Sequence, residues 1–185
     1  MGFDPYALPP DLPVPVDDGG ADHLPGSVIP AVRLESSQGP VDLAELAAQL
    51  LVLYVYPRTG TPGVDPPEGW DAYPGARGCT PQSCGFRDHM GELSSFDARV
   101  AGLSAQTLPE QVEFAERTHM PYPVIADPQL VLRETLGLPT FEIAGMTLYN
   151  RVTLVAEKGM IVKTFYPVFP PDRNAEDVVA WLRER

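Results

Sequence analysis

Cysteine is scarce in this chain: only Cys79 and Cys84 occur among 185 residues. Two cysteines cannot build a disulfide scaffold, and a C-x4-C pair is too short a loop to staple a domain. A zinc finger or an iron–sulfur site would need further cysteines. Basic residues are also few, with 13 Lys and Arg against 25 Asp and Glu and a net charge of −12. Such a surface attracts neither nucleic acid nor anionic membranes, so neither is expected as a partner. No run approaches the roughly 18 apolar residues of a membrane span. The segment Met1-Gly2-Phe3-Asp4-Pro5-Tyr6 lacks the basic and apolar regions of a signal peptide. Gly2 invites myristoylation, but Tyr6 stands where that signal wants Ser or Thr. The expected compartment is the cytoplasm, where reducing conditions suit a thiol that must be recycled.

What is present is the composition of one soluble globular domain, 44% apolar and 21% charged. The 22 prolines cluster at the N-terminus, in residues 62–81 and near Pro167–Pro171. Residues 1–25 are proline-rich and without period, which predicts an extended arm, lying over the domain or disordered. Residues 26–185 form the domain proper, with an insertion at 62–78.

Within that domain Ser27–Leu34 alternates as a short edge strand. The turn at Ser36–Gly39 leads into Val41-Asp42-Leu43 to complete a hairpin, with Asp42 capping a short helix through Gln49. Leu50–Tyr56 is a continuous apolar, β-branched and aromatic run ending at Pro57, the pattern of a central strand covered on both faces. The Gly- and Pro-rich stretch 58–78 is the longest irregular connection. From Thr80 to Val100 the period is helical, and Ala101–Ala105 is a short strand. Leu108–Met120 is a helix with Pro109 in its first turn, Val124–Asp127 a strand, and Asp127-Pro128 opens a helix ending at Gly137. Asn150–Ala156 and Met160–Tyr166 flank a turn at Glu157-Lys158-Gly159, and Asn174 caps a closing helix, Ala175–Arg185. The order βαβα then ββα predicts an α/β, thioredoxin-like fold, a central mixed sheet flanked by helices with an N-terminal extension.

The cysteines fall where that fold has a helix start. Thr80 fits the cap and Pro81 the first helical position. A thiol there meets unpaired N–H groups and the positive end of the helix dipole, both favouring the thiolate. Arg151 on a neighbouring strand, or Arg87 on the same helix, can supply a cation. Five steps of regular helix separate Cα atoms by about 8–9 Å, beyond the roughly 7 Å that a disulfide bridges without backbone movement. A Cys79–Cys84 disulfide therefore requires the first turn to unwind. The expected cycle oxidises Cys79 first, opens the turn, and lets Cys84 attack, after which an external reductant restores both thiols. Two other readings stand beside it. Both cysteines can be small core hydrophobes, and His89 completes a C-x4-C-x4-H set. Steps of five turn each of those three side chains roughly 140° from the last, so they diverge rather than converge on a metal.

The stretches Tyr54-Val55-Tyr56-Pro57, Thr61-Pro62-Gly63, Gly78-Cys79-Thr80 and Cys84-Gly85-Phe86-Arg87-Asp88 resemble the peroxiredoxin family, of the Q or bacterioferritin comigratory protein type. Gly102-Leu103-Ser104 and Asn150-Arg151-Val152-Thr153-Leu154 extend the likeness over residues 27–185. The resemblance implies an antioxidant thiol peroxidase that reduces hydrogen peroxide and organic hydroperoxides. Cys79 would be the peroxidatic and Cys84 the resolving cysteine, closing an intramolecular disulfide. Arg151 would hold the thiolate and polarise the peroxide. It also implies no metal, haem or flavin, a thioredoxin-like reductant, and a monomer.

The chain departs from the family pattern at one point. The family threonine stands three residues before the peroxidatic cysteine, where this chain has Ala76; Thr61 lies beyond the insertion. Either residues 64–76 loop out and leave Thr61 beside Cys79, or Thr59 or a backbone N–H near Gly78 takes that part. Trp70 and Tyr73 of the insertion are candidates for a lid or for plain packing. Arg87 and Asp88, adjacent on a helix, are not expected to face each other. Ser104 and Gln106 end a strand near the site, and His89 reads as a surface residue. Two further functions share the fold: a thiol–disulfide oxidoreductase or redox relay, against which the missing C-x-x-C counts, and a non-catalytic binding module with incidental cysteines.

Overall fold

The computed structural model describes residues 3–185; Met1 and Gly2, and with them the myristoylation reading, lie outside the described residues. In chain order the strands are β1 (Arg33–Ser36), β2 (Val41–Asp42), β3 (Leu50–Val55), β4 (Ala98–Ser104), β5 (Val124–Ala126), β6 (Thr140–Ile143), β7 (Met146–Tyr149), β8 (Val152–Glu157) and β9 (Met160–Phe165). The helices are α1 (Leu43–Leu46), α2 (Cys79–Asp88), α3 (Met90–Ser95), α4 (Leu108–Thr118), α5 (Val131–Leu136) and α6 (Asn174–Arg183).

Seven strands form one mixed sheet in the order β2-β1-β5-β4-β3-β8-β9. The apolar run at 50–56 supplies its centre: β3 is buried along its whole length, parallel to β4 and antiparallel to β8. Its side chains alternate between two cores, as the strand period requires. Leu51, Leu53 and Val55 face one with Leu43, Leu132 and Leu136; Val52, Tyr54 and Tyr56 face the other with Phe86, Phe114 and Val178. Covering both faces of the central strand with helices gives the thioredoxin-like arrangement. Tyr54 stacks on Phe86 at 4.5 Å and lies across Gly102, where any Cβ would come within 2.6 Å of its ring. This contact fixes α2 against the end of β3.

Several elements differ from the sequence expectation for identifiable reasons. Of Ser27–Leu34 only Arg33 and Leu34 belong to a strand. Pro30 has no N–H to give a ladder, only Val28 bridges to Met160, and pairing begins at Arg33. The helical stretch 80–100 is divided, since His89 leaves helical geometry between α2 and α3, and Asp97 at φ +58° turns the chain into β4 three residues early. The helix expected from Asp127 starts at Val131; Asp127 is buried and accepts from the Val131 and Leu132 amides at 2.8 and 3.0 Å. Asn174 is not a cap but a member of the first turn of α6, its side chain turned inward. Asp42 does cap α1, accepting from Ala44 and Glu45, although that helix ends at Leu46. The hairpin β6–β7 was not expected. Its turn, Ala144-Gly145, has both residues at positive φ, as tight hairpins demand, but carries no Asn or Asp to announce it.

Residues 3–25 follow the surface rather than pairing with the sheet. Leu24 and Ala21 are buried in the first core, and Asp18 accepts from the Tyr166 hydroxyl at 2.8 Å.

Candidate active site

Cys79 is the first residue of α2 and only 3% exposed. Gly78 before it takes φ +103°, a conformation for which only glycine is unstrained, and a Cβ there would meet Pro171 at 2.3 Å and Leu8 at 2.9 Å. The helix thus begins at Cys79 itself. Thr80 is not the cap: it lies one position inside, with its buried hydroxyl lacking a partner among the described residues.

Arg151 reaches the sulfur from the loop before β8. It is 4% exposed, and its Nη2 lies 3.2 Å from Cys79 Sγ. The same nitrogen faces the carbonyls of Gly75, Ala76 and Arg77 at 3.1–3.2 Å. Nη1 donates to Gln82 Oε1 at 2.5 Å. Gln82 donates in turn to Asn174 Oδ1 at 3.0 Å, which also accepts from Thr153 at 2.7 Å. A buried chain of Arg151, Gln82, Asn174 and Thr153 therefore fixes a guanidinium against one sulfur. Charge-assisted, forked hydrogen bonds of this kind define orientation as well as energy. Gln82 is not marked by the sequence, and Asn174 reads there only as a helix cap. The usable signal was spacing, since Gln82 is one helical turn beyond Cys79 and shares its face.

Cys84 sits in the middle of α2, half-buried and unbonded to Cys79. Burial pushes its thiol above the ordinary value; Arg87 pulls it down, Asp88 pushes it up, and Arg117 opposes. Arg87 is not the cation at Cys79. It donates to Thr118 O at 2.8 Å and, contrary to expectation, to Asp88 Oδ1 at 2.8 Å, Asp88 being the last residue of the helix. His89 is half-buried and hydrogen-bonds Gly85 O through Nδ1.

The structure does not bring Thr61 to Cys79. Thr61 is exposed and lines a cavity of about 540 Å³ with Arg58, Gln106, Glu110 and Trp70, which Cys79 does not line. Thr59 does not replace it, because its N–H and hydroxyl both bond Gln106 Oε1, at 2.9 and 3.1 Å. The reason lies in the insertion, which packs down instead of looping out. Trp70 is buried with Phe141 and Leu148, and Tyr73 stacks on Phe141 at 4.0 Å. Ser104 and Gln106 belong to a buried network with Gln111, which also takes the Tyr56 hydroxyl.

Fold and site together define a thioredoxin-like protein with an arginine-paired cysteine opening the helix after its central strand. The chain belongs to the Redoxin family, whose sequence model matches residues 24–179. It is similar to the chloroplastic peroxiredoxin Q of Sedum lineare, 28% identical over 160 residues covering 85% of this chain and 77% of that one. Peroxiredoxin bcp1 of Schizosaccharomyces pombe is 33% identical over 137 residues, 72% of this chain and 63% of its own length. The crystal structure of peroxidoxin BcpB from Mycobacterium tuberculosis superposes with a TM-score of 0.70 at 25% identity, over 87% of this chain and 97% of that one. No helix among the described residues is long and apolar enough to cross a membrane.

Proposed function

We propose that this chain is a thiol peroxidase in which Cys79 attacks a hydroperoxide and Cys84 resolves the product. The observation that carries the reading is the Arg151 guanidinium 3.2 Å from the Cys79 sulfur, at the first residue of a helix that also holds Cys84. Positive potential from the helix start and from Arg151 converges where negative charge passes from sulfur to oxygen. The Cys79 thiolate attacks the terminal peroxide oxygen, and the O–O bond breaks. The leaving oxygen takes a proton and departs as water or an alcohol, while Cys79 becomes a sulfenic acid. Arg151, held by Gln82, orients the peroxide and supports the departing oxygen.

Cys84 then attacks the sulfenic sulfur, the S–S bond forms, and the oxygen leaves as water. Regular helix keeps the two Cα atoms about 8–9 Å apart, so the first turn of α2 unwinds for this step. A dithiol protein of the thioredoxin kind restores both thiols by exchange. A reducing compartment such as the cytoplasm suits that cycle, and the chain works as a monomer. Hydrogen peroxide and organic hydroperoxides both fit the chemistry, and no metal, haem or flavin enters a step.

The test is consumption of tert-butyl hydroperoxide with thioredoxin or dithiothreitol as electron source. Turnover by the wild-type chain that vanishes in Cys79→Ser is the expected result. Equal consumption with and without Cys79 overturns the reading.

A further inference from the structure

Arg77 lies two residues before Cys79 and holds the beginning of the chain. It is 8% exposed, and its Nη2 donates to Asp4 O at 2.9 Å and Ala7 O at 3.2 Å, with Nε also directed at Ala7 O. Its guanidinium carbon stands 4.4 Å from the centre of the Phe3 ring, and Asp71 pairs with Nη1 at 2.9 and 3.1 Å. Leu8 closes over Gly78. A second arginine, Arg117, donates to the Tyr6 hydroxyl at 2.9 Å and to Gly60 O at 3.1 Å, and its charge also acts on Cys84. Phe3 O accepts from Gly63 N at 3.2 Å. Residues 3–8 are thus fastened at the neighbours of both cysteines and cover the start of α2.

We propose that residues 3–8 form a strap that the Cys79–Cys84 disulfide releases. The inference rests on the peroxidase reading for its trigger. When Cys84 displaces water from the sulfenic acid, the hydrogen bond from Gln82 N to Gly78 O (3.0 Å) is lost and Gly78 and Cys79 must turn out of the helix. Arg77, joined to them directly, cannot keep its guanidinium under Phe3 and against the Asp4 and Ala7 carbonyls while its backbone swings. Leu8 at the same time loses the Gly78 surface on which it rests. The buried Thr80 hydroxyl, without a partner among the described residues, gains water as the turn opens, which favours the unwound form. Release ends before residue 18, because Asp18, Ala21 and Leu24 are held by Tyr166 and the core. The strap therefore lies against Arg77 and Gly78 in the reduced enzyme and leaves them in the form that must meet a reductant.

Hydrogen exchange of the full chain tests this, with intact mass read on the same samples. In reduced protein the amides of Tyr6, Ala7 and Gly63, bonded to Asp4 Oδ1, Asp4 O and Phe3 O, are protected. After one equivalent of hydrogen peroxide and a loss of about two daltons, their exchange speeds up by roughly tenfold or more. Oxidised Cys84→Ser, which stops at the sulfenic acid, keeps the reduced pattern. Phe3→Ala, which leaves the Arg77–Asp71 pair intact, loosens the strap without oxidation. A complete two-dalton loss with unchanged protection of 3–8 overturns the strap and leaves the peroxidase reading standing. Failure to lose two daltons removes the trigger and overturns both.

Discussion

Gln82 accepts from Arg151 at 2.5 Å one helical turn beyond Cys79, so the guanidinium that meets the sulfur is aimed by the same helix that carries it. Arg151 sits just before β8 and Cys79 at the start of α2. Without Gln82 the guanidinium is left with the sulfur itself and the carbonyls of the preceding loop.

Replacing Gln82 by Ala should slow oxidation of Cys79 by hydrogen peroxide about tenfold, the equivalent of one charge-assisted hydrogen bond of roughly 1.5 kcal/mol. Gln82→Glu keeps an acceptor for Arg151 and should restore most of the rate. Stopped-flow fluorescence on all three proteins, alongside thermal melting, separates aiming of Arg151 from loss of packing. Equal rates in Gln82→Ala and wild type contradict the assignment.

Arg151→Lys should cost about a hundredfold in the same rate although the charge remains. A lysine ammonium cannot at once reach Cys79, Gln82 and the carbonyls of Gly75, Ala76 and Arg77. Arg151→Ala should also lower the melting temperature, because those buried acceptors lose their donor. A lysine variant as fast as wild type would show that charge alone suffices.

Thr61→Ala should leave the peroxide rate within about twofold, as for a surface substitution. The threonine is exposed, lines a different cavity from the sulfur, and makes no hydrogen bond to it. A hundredfold loss in the variant would mean that the 62–78 segment closes over Cys79 during the reaction.

Resolution should accelerate as pH rises. Burial, helped by Asp88 and opposed by Arg87 and Arg117, holds the Cys84 thiol above its ordinary value of 9.0. The attacking thiolate is therefore a minor species at neutral pH, and disulfide formation should quicken about tenfold per unit between pH 6 and 8. Stability moves the other way. The folded form holds this proton longer than the unfolded chain, so the contribution is intact below the ordinary thiol value and is lost as pH rises through the raised one. Rapid-quench mass spectrometry across that range follows the first effect, and a flat profile contradicts it.

Much of this architecture could be read directly where one physical demand dominated. Leu50–Tyr56 could only be a strand buried on both faces, and Cys79 stood next to residues that open helices. Arg151 was reachable through the family resemblance, since nothing in its own neighbourhood separates a buried guanidinium from a surface one. Other residues were illegible because tertiary contacts decided them. Asn174 has a capping side chain, yet its amide bonds Gln82 and Thr153 in the core. Thr61 was carried away by Trp70 and Tyr73, whose burial against β6 and β7 depends on a hairpin with no turn signal. The arm's hydrogen bonds to Arg77 run through backbone carbonyls, which leave no mark in a sequence.

The central claim is the division of labour between two thiols on one helix, and intact mass after one equivalent of hydrogen peroxide tests it most directly. The reduced wild-type chain should lose about two daltons, Cys84→Ser should gain about sixteen, and Cys79→Ser should stay unchanged. A gain of sixteen in Cys79→Ser with none in Cys84→Ser would reverse the roles. No change in any of the three would contradict the account altogether.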